Sequence, residues 1–257
     1  MTVDMTTTRE SEISEALRSV EARLAAACAA AGRSVDDVML LPVTKFFPAS
    51  DIEILHGLGC RDFGESREQD ASAKVDELAG AFGTEPARWH MIGHLQRNKA
   101  KSVARWATSI HSVDSDRLVS ALGKAVDAAQ SDGARSTPLE VLIQVSLDGD
   151  VHRGGVEREH LLELADQVAD TDGLTLSGVM AVPPLDSDPD HAFADLSAVH
   201  QQLLEQHPDA VELSAGMTGD LEAAVLHGST CVRVGTAILG PRPITSPVQS
   251  TDHISHT

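Results

Sequence analysis

A lysine and two glycine-containing segments are the residues of this sequence best suited to chemistry. Lys45 follows the apolar run at 39–44, which is typical of a buried strand, and precedes Phe46-Phe47-Pro48. An amine at the end of a strand can form a Schiff base with a carbonyl compound. Far downstream lie Ser214-Ala215-Gly216-Met217-Thr218-Gly219-Asp220 and Arg233-Val234-Gly235-Thr236, two segments typical of phosphate-binding loops. An amine combined with such loops indicates pyridoxal 5′-phosphate (PLP) as the ligand.

The two loops offer different kinds of group to an anion. Ser214 and Thr218 carry hydroxyl donors, and Gly216, Gly219 and Gly235 let the backbone approach closely because no Cβ stands in the way. For either loop alone, ordinary turn chemistry explains the sequence equally well. Two such loops together with the lysine favour a binding site.

The composition indicates a globular protein. The chain has 257 residues, of which 42% are hydrophobic and 23% charged. No apolar stretch approaches the roughly 20 residues that span a bilayer, and the first residues lack the pattern of a signal peptide, so we expect a cytoplasmic protein. The formal charge of −19 argues against nucleic acids and anionic membranes as partners. The widely spaced Cys28, Cys60 and Cys231 favour reduced thiols over a disulfide or a metal site.

Strand-like and helix-like patterns alternate along the chain after a leading helix. That helix is predicted at 10–31, which is Ala-rich with apolar residues at helical spacing, and Gly32 is typical of its C-terminal end. Each of the apolar segments that follow is succeeded by a segment with helical periodicity. The predicted strands are 38–44, 60–63, 88–93, 108–113, 139–146, 174–182, 210–214 and 231–234, and the predicted later helices include 66–79, 115–130, 157–170 and 191–206.

This alternation predicts a single α/β domain, a (β/α)8 TIM barrel with an extra N-terminal helix. An open doubly wound sheet is less favoured, because no dinucleotide-binding G-x-G-x-x-G follows the first strand. We predict a tail and leading helix at 1–34, the barrel at 35–243 and a disordered, Pro- and Ser-rich tail at 244–257. The C-terminal ends of the strands form the active face of such barrels, with phosphate bound after strands seven and eight. Lys45 and both loops are therefore expected on one face, where Thr236 begins the last short helix.

Five motifs occur together in this chain. They are Val43-Thr44-Lys45 with Pro48, Phe63-Gly64-Glu65, Trp89-His90-Met91-Ile92-Gly93 followed by Leu95-Gln96-Arg97-Asn98-Lys99, Leu213-Ser214 with Gly216-Met217-Thr218 and Asp220, and Val232-Arg233-Val234-Gly235-Thr236-Ala237-Ile238-Leu239-Gly240. From near residue 10 to near residue 243, the chain resembles the pyridoxal phosphate homeostasis protein family. The resemblance implies a barrel like the N-terminal domain of alanine racemase and no established catalytic activity.

The resemblance also implies roles for single residues. Lys45 would hold PLP as an aldimine, Arg233 would face the pyridine nitrogen, and Ser214, Gly235 and Thr236 would bind the phosphate. The remaining residues expected around the cofactor are Gly216, Met217, Thr218, Ser66 and His90.

The chain departs from the common family pattern at a few positions near this site. Ser66 stands where Asn usually follows Gly-Glu, His94 stands where Pro usually follows Ile-Gly, and Phe46-Phe47 replaces a more polar pair. These departures concern the polar contacts of the ring and the rim of the pocket.

We therefore expect a PLP-binding protein that serves intracellular PLP homeostasis, as a monomer, with PLP-dependent apo-enzymes as candidate recipients. An arginine beside the pyridine nitrogen would keep that nitrogen unprotonated and make the ring a weak electron sink. The chain also has no Tyr, the residue that serves as second acid/base in the alanine racemases it resembles, and it ends soon after the eighth predicted strand. No catalytic residue is predicted for these reasons.

Two other functions are compatible with the sequence. One is a PLP-dependent amino-acid racemase or lyase in which a histidine such as His90 acts as the second base. The other is a class I aldolase, which has a Schiff-base lysine and a phosphate site but no cofactor. His90 and His94 are not predicted to bind metal, because they lie on a strand and a turn instead of one helical face.

Overall fold

A ring of eight parallel strands forms the centre of the molecule. The computed structural model describes residues 5–150, 153–184 and 186–242. Strands β1 to β8 are Met39–Pro42, Asp62–Glu65, Arg88–Met91, Ser109–Val113, Leu139–Gln144, Leu174–Met180, Glu212–Ser214 and Cys231–Val234. From β2 to β8, strands that are neighbours in sequence pair in parallel, and β8 pairs with β1. The predicted (β/α)8 barrel is confirmed, whereas the predicted tail at 244–257 lies outside the described residues.

The helices form the outer layer of the barrel. In the ranges just given, helices α1 to α9 are Met5–Ala30, Ala49–Gly57, Glu68–Glu77, Ala100–Trp106, Asp116–Ser131, Leu161–Ala169, Pro189–Gln206, Leu221–Leu226 and Thr236–Leu239. Among the described helices, none combines the length and the apolar character that crossing a bilayer requires.

The leading helix α1 packs on the outside of the barrel. Its apolar positions Ile13, Leu17, Val20 and Leu24 recur at helical spacing and are all buried. They join one hydrophobic cluster with residues of α2, α8 and α9. The helix ends as predicted near Gly32, which has a φ of +67°, and the N–H of residue 33 donates to the carbonyl of residue 28.

Strand β2 begins two residues later than the sequence predicted. The prediction placed it at 60–63, but the N–H of Cys60 donates to the carbonyl of Leu55 and so still caps the end of α2. Gly59, with a φ of +104°, makes this cap possible. The short helices α2, α4 and α8 were not delimited by the sequence pattern, because fewer than three turns give little periodicity.

The ring closes between β1 and β2 through few contacts. Val43 and Gly64 form an isolated parallel bridge, and the N–H of Thr44 donates to the carbonyl of Gly64 over 2.9 Å. Beneath this seam, the Lys74 amine on α3 donates to the Thr44 carbonyl at 2.8 Å and to Glu65 Oε1 at 2.6 Å. The Thr44 hydroxyl donates to the same carboxylate oxygen over 2.7 Å. We call Thr44, Glu65 and Lys74 the seam cluster.

We predict that Lys74→Met destabilises the protein by about 3–5 kcal/mol, because it leaves the buried Glu65 carboxylate without its cation. The double variant Lys74→Met with Glu65→Leu should recover most of this loss, since neither charge then remains buried. The free energy of unfolding from urea denaturation measures both effects. Lys101→Met on the exposed face of α4 is the matched control, with an expected change within about 0.5 kcal/mol. Equal stabilities for the Lys74 variant and this control would contradict the role of the pair.

Candidate functional site

A cavity of about 290 Å³ opens at the C-terminal end of the barrel. Its wall is built from the turn after β1 and from the loops after β7 and β8. Six of the predicted site residues lie on this wall, and four others do not. The lining residues are Val43, Lys45, Phe46, Phe47, Ile92, Met217, Thr218, Gly219, Arg233, Gly235, Thr236 and Arg242.

A tight turn directly after β1 presents Lys45 to the cavity. The N–H of Phe47 donates to the carbonyl of Thr44, and Phe46 between them has a φ of +70°. A bulky residue in this left-handed region is strained, and such strain is concentrated at functional sites. The Lys45 amine lies 5.9 Å from the centre of the Phe46 ring. The turn therefore sets the direction of the reactive side chain.

The surroundings of Lys45 favour its neutral form. Its half-buried position removes water from the ammonium group, and Arg242 and Arg233 repel the charge, so that the pKa of Lys45 is lowered from its ordinary value. The Glu65 carboxylate opposes this shift. A lowered pKa raises the fraction of free amine near neutral pH, and the free amine is the form that attacks a carbonyl carbon.

Arg233 lies at the end of β8, buried in the floor of the cavity. Its Nη1 donates to the Ser214 hydroxyl over 2.7 Å, and its Nη2 donates to the Ala181 carbonyl over 3.0 Å. Burial lowers the pKa of Arg233, but a guanidinium keeps its proton in proteins. Since a guanidinium has five N–H groups, these two contacts leave donors for a ligand in the cavity.

The loop after β7 is held in place from two sides. Gly216 has a φ of +90°, and a Cβ at this position would lie 2.5 Å from α8. The N–H of Met217 donates to Asp220 Oδ1 over 2.6 Å. Arg23 of helix α1 donates to the carbonyl of Thr218 over 2.6 Å. The leading helix therefore braces a wall of the cavity as well as the outside of the barrel.

The loop after β8 leads directly into α9. The Gly235 carbonyl accepts from the N–H groups of Ile238 and Leu239, which begins the helix at Thr236 as predicted. A Cβ at Gly235 would lie 3.3 Å from the Val43 carbonyl, so that a side chain has little room there. The first N–H groups of a helix have no partner within the helix and can bind an anion.

Four of the predicted site residues lie away from the cavity wall. Ser214 and His90 are buried inside the barrel, and Gly216 is buried behind the loop after β7. Ser66 is half-buried after β2, where its backbone packs against Gly93. Strand alternation can place Ser214 and His90 on the interior side, and the loop positions of Ser66 and Gly216 place them near the mouth, but the sequence does not reveal the depth of these residues.

The interior side chains form a hydrogen-bonded series. Ser214 Oγ is 2.9 Å from His111 Nδ1, and His111 Nε2 is 3.0 Å from His90 Nδ1. His90 Nε2 is in turn 3.0 Å from Asp62 Oδ1. His111 was not predicted as a site residue, although its place two residues before the end of β4 is a signal that could have found it.

The cavity also includes residues that the sequence did not assign to the site. Phe46, Phe47 and Ile92 provide apolar wall, and the Arg242 guanidinium lies 3.8 Å from the centre of the Phe46 ring. Arg242 follows the last helix and belongs to no recognisable loop motif. Its position after β8 and α9, at the face where the strands end, is the signal that could have indicated it.

Comparison with known proteins identifies relatives over most of the chain. The family described as alanine racemase, N-terminal domain, matches residues 17–243. The pyridoxal phosphate homeostasis protein of Mycobacterium tuberculosis is 54% identical over 248 residues, covering 93% of this chain and 96% of that protein. The protein of the same name from Corynebacterium glutamicum is 47% identical over 226 residues, covering 88% of this chain and 100% of that protein.

Solved structures show the same fold. PipY of Synechococcus elongatus with PLP bound is 31% identical and has a TM-score of 0.75, covering 89% of this chain and 100% of that chain. Alanine racemase from Corynebacterium glutamicum is 13% identical with a TM-score of 0.65, covering 92% of this chain and 62% of that chain. At this low identity, the second structure supports the fold alone.

We predict that Arg242→Gln raises the pKa of Lys45, because it removes a cation that repels the ammonium group. The rate at which Lys45 reacts with an aldehyde should then fall at pH 7, and its pH profile should move to higher pH. Arg67→Gln is the matched control, since Arg67 also contacts the Phe46 ring but does not contribute to the lowered pKa. Identical pH profiles for both variants would contradict the electrostatic role of Arg242.

Proposed function

Because the chain belongs to the pyridoxal phosphate homeostasis protein family, we propose that it binds PLP in the cavity at the barrel mouth and serves PLP homeostasis. One observation carries this proposal, namely that the Lys45 amine, the Arg233 guanidinium and two glycine-containing loops converge on a single cavity. The PLP-bound structure of its relative PipY supports it.

The residues on the wall fit the chemical groups of PLP. Lys45 would hold the aldehyde carbon through its amine, and the donors of Arg233 would face the pyridine nitrogen. Thr218, Gly235 and Thr236 would bind the phosphate through hydroxyl and backbone N–H groups. When bound, the cofactor would supply an aldehyde group, which forms a reversible covalent bond with an amine. Reversible attachment of this kind is sufficient for a carrier.

The proposed role is that of a carrier without racemase chemistry. Racemisation needs a second acid/base beside the substrate, and Lys45 is the one proton acceptor among the described residues that line the cavity. His90 and His111 lie deeper, and both nitrogens of each ring have hydrogen-bond partners. The sequence has no Tyr that could fill this role. These features support storage and release of the cofactor over catalysis.

We also propose that the protein acts in the cytoplasm as a monomer, with PLP-dependent apo-enzymes as recipients. Three free cysteines, two of them buried, support a reducing compartment. A recipient would be an apo-enzyme that regains activity faster with the PLP-loaded protein than with an equal concentration of free PLP.

We predict that Lys45→Ala abolishes the absorption band of lysine-bound PLP and leaves the unfolding temperature nearly unchanged, because the side chain lies in a turn outside the core. Absorption spectra of the purified protein after addition of PLP test this. Lys99→Ala and Lys101→Ala are controls at the same end of the barrel and should keep the full band. A full band in the Lys45 variant would place the anchor on another lysine and refute the proposed site.

We predict that the loaded protein does not exchange the α-hydrogen of L- or D-alanine for solvent deuterium faster than free PLP does. The reason is the absence of a second acid/base on the described cavity wall. Mass spectrometry of alanine incubated in deuterium oxide measures the exchange. Rapid exchange that is lost in both Lys45→Ala and His90→Ala would instead establish the racemase alternative.

A further inference from the structure

A continuous series of hydrogen bonds crosses the barrel from its N-terminal end to the cavity. At the N-terminal end, Asp62 of β2 binds Arg88 Nε over 2.7 Å and His90 Nε2 over 3.0 Å. His90 contacts His111, His111 contacts Ser214, and Ser214 contacts Arg233 in the cavity floor. We call Asp62, His90, His111, Ser214 and Arg233 the transverse chain.

Both ends of the transverse chain fix the direction of its protons. A guanidinium can only donate, so the Ser214 oxygen accepts from Arg233, and the single hydroxyl proton of Ser214 is free to donate to His111 Nδ1. A neutral His111 then carries its proton on Nε2 and donates to His90 Nδ1. His90 in turn carries its proton on Nε2 and donates to Asp62, and an ionised carboxylate can only accept.

The charges of the buried groups agree with this arrangement. Burial, together with the nearby His90 and Arg233, lowers the pKa of His111 well below its ordinary value, so His111 is neutral near pH 7. Partial burial would raise the pKa of Asp62, but hydrogen bonds from His90 and Arg88 outweigh it and lower the pKa to about 2. Because a neutral His111 carries a single proton, donation from Ser214 to its Nδ1 is the arrangement that lets His90 accept at Nδ1 and donate to Asp62 from Nε2.

We propose that Asp62, His90 and His111 are positioning residues for the cavity, which hold the Ser214 hydroxyl toward the barrel interior and thereby fix the Arg233 guanidinium against the bound ligand. This inference rests on the proposed function, since it assigns Arg233 to the ring of PLP. It makes Asp62, at the opposite end of the barrel, a determinant of cofactor binding.

The transverse chain assigns a specific role to the Ser214 hydroxyl. The hydroxyl proton is already donated to His111, so it is not available to the phosphate of a ligand while the chain is intact. Ser214 therefore serves the cavity through Arg233. The phosphate contacts are left to the wall residues of the two loops, such as Thr218 and Thr236.

The test compares two ways of breaking the transverse chain with one way of preserving it. Asp62→Ala removes the acceptor, and His90→Phe removes the link between Asp62 and His111 while keeping an aromatic ring of similar shape. Asp62→Asn keeps an oxygen that can accept from His90. Asp132→Ala is the matched control, because Asp132 also pairs with an arginine, Arg105, but on the surface outside the chain.

The first measurement uses the unloaded protein and nitrogen-15 NMR of the histidine rings. In the wild type, His111 should carry its proton on Nε2, and His90 should accept that hydrogen bond at Nδ1 while donating to Asp62 from Nε2. Asp62→Ala and His90→Phe should allow His111 to populate both tautomers, whereas Asp62→Asn and Asp132→Ala should preserve the wild-type pattern. A wild-type His111 with its proton on Nδ1 would overturn the inference.

The second measurement is the dissociation constant and absorption maximum of bound PLP. We expect Asp62→Ala and His90→Phe to bind about five- to tenfold more weakly with a shifted maximum, the effect of losing one positioned hydrogen bond. Wild-type affinity and maximum in both of these variants would overturn the positioning role. If one variant fails to fold, the other decides.

The two measurements separate this inference from the proposed function. Failure of the wild type to bind PLP would refute the proposed function and, with it, the assignment of Arg233 to the PLP ring. The histidine spectra would still decide whether the transverse chain itself exists, because they require no cofactor.

Discussion

Closure of the barrel between β1 and β2 is the constraint on which the cavity depends. These strands share only a short stretch of backbone contact, and the seam cluster of Thr44, Glu65 and Lys74 reinforces it from below. Lys45 follows Thr44 directly, so the contacts that close the ring also fix the backbone position from which the Lys45 side chain extends. Fold and site are therefore coupled at this seam. The buried pair of Lys74 and Glu65 also binds the Thr44 carbonyl, which two apolar side chains in its place could not do.

The cavity concentrates positive charge in a protein of opposite overall sign. The chain carries a formal charge of −19, yet Lys45, Arg67, Arg233 and Arg242 gather around the mouth of the barrel. Burial of Lys45 and repulsion by Arg242 and Arg233 lower the pKa of the lysine, and an anion in the cavity would relieve that repulsion. Attraction of an anionic ligand and activation of the amine would consequently have a common physical origin.

The sequence predicted most strands to within two residues because most are apolar runs bounded by polar turns. It also predicted that the two glycine-containing loops lie at one face, because they follow the last two strands directly. It could not predict the depth of a side chain within the barrel. Ser214 and His90 share the inward orientation of wall residues, but they are buried below the cavity, at a depth that depends on the stagger of the strands. Arg242 was missed for a different reason, since its place depends on how α9 turns the chain back over Phe46.

The cavity draws its essential groups from opposite ends of the sequence. Lys45 follows β1, whereas Arg233, Gly235 and Thr236 belong to β8 or follow it, and β8 pairs with β1. During synthesis, the amine therefore leaves the ribosome long before its partners do, and the site is assembled only by the last long-range pairing of the fold. A ligand that bridges both strands binds the completed barrel alone and stabilises it by mass action. The supply of ligand in the cell would then influence how long the finished protein survives.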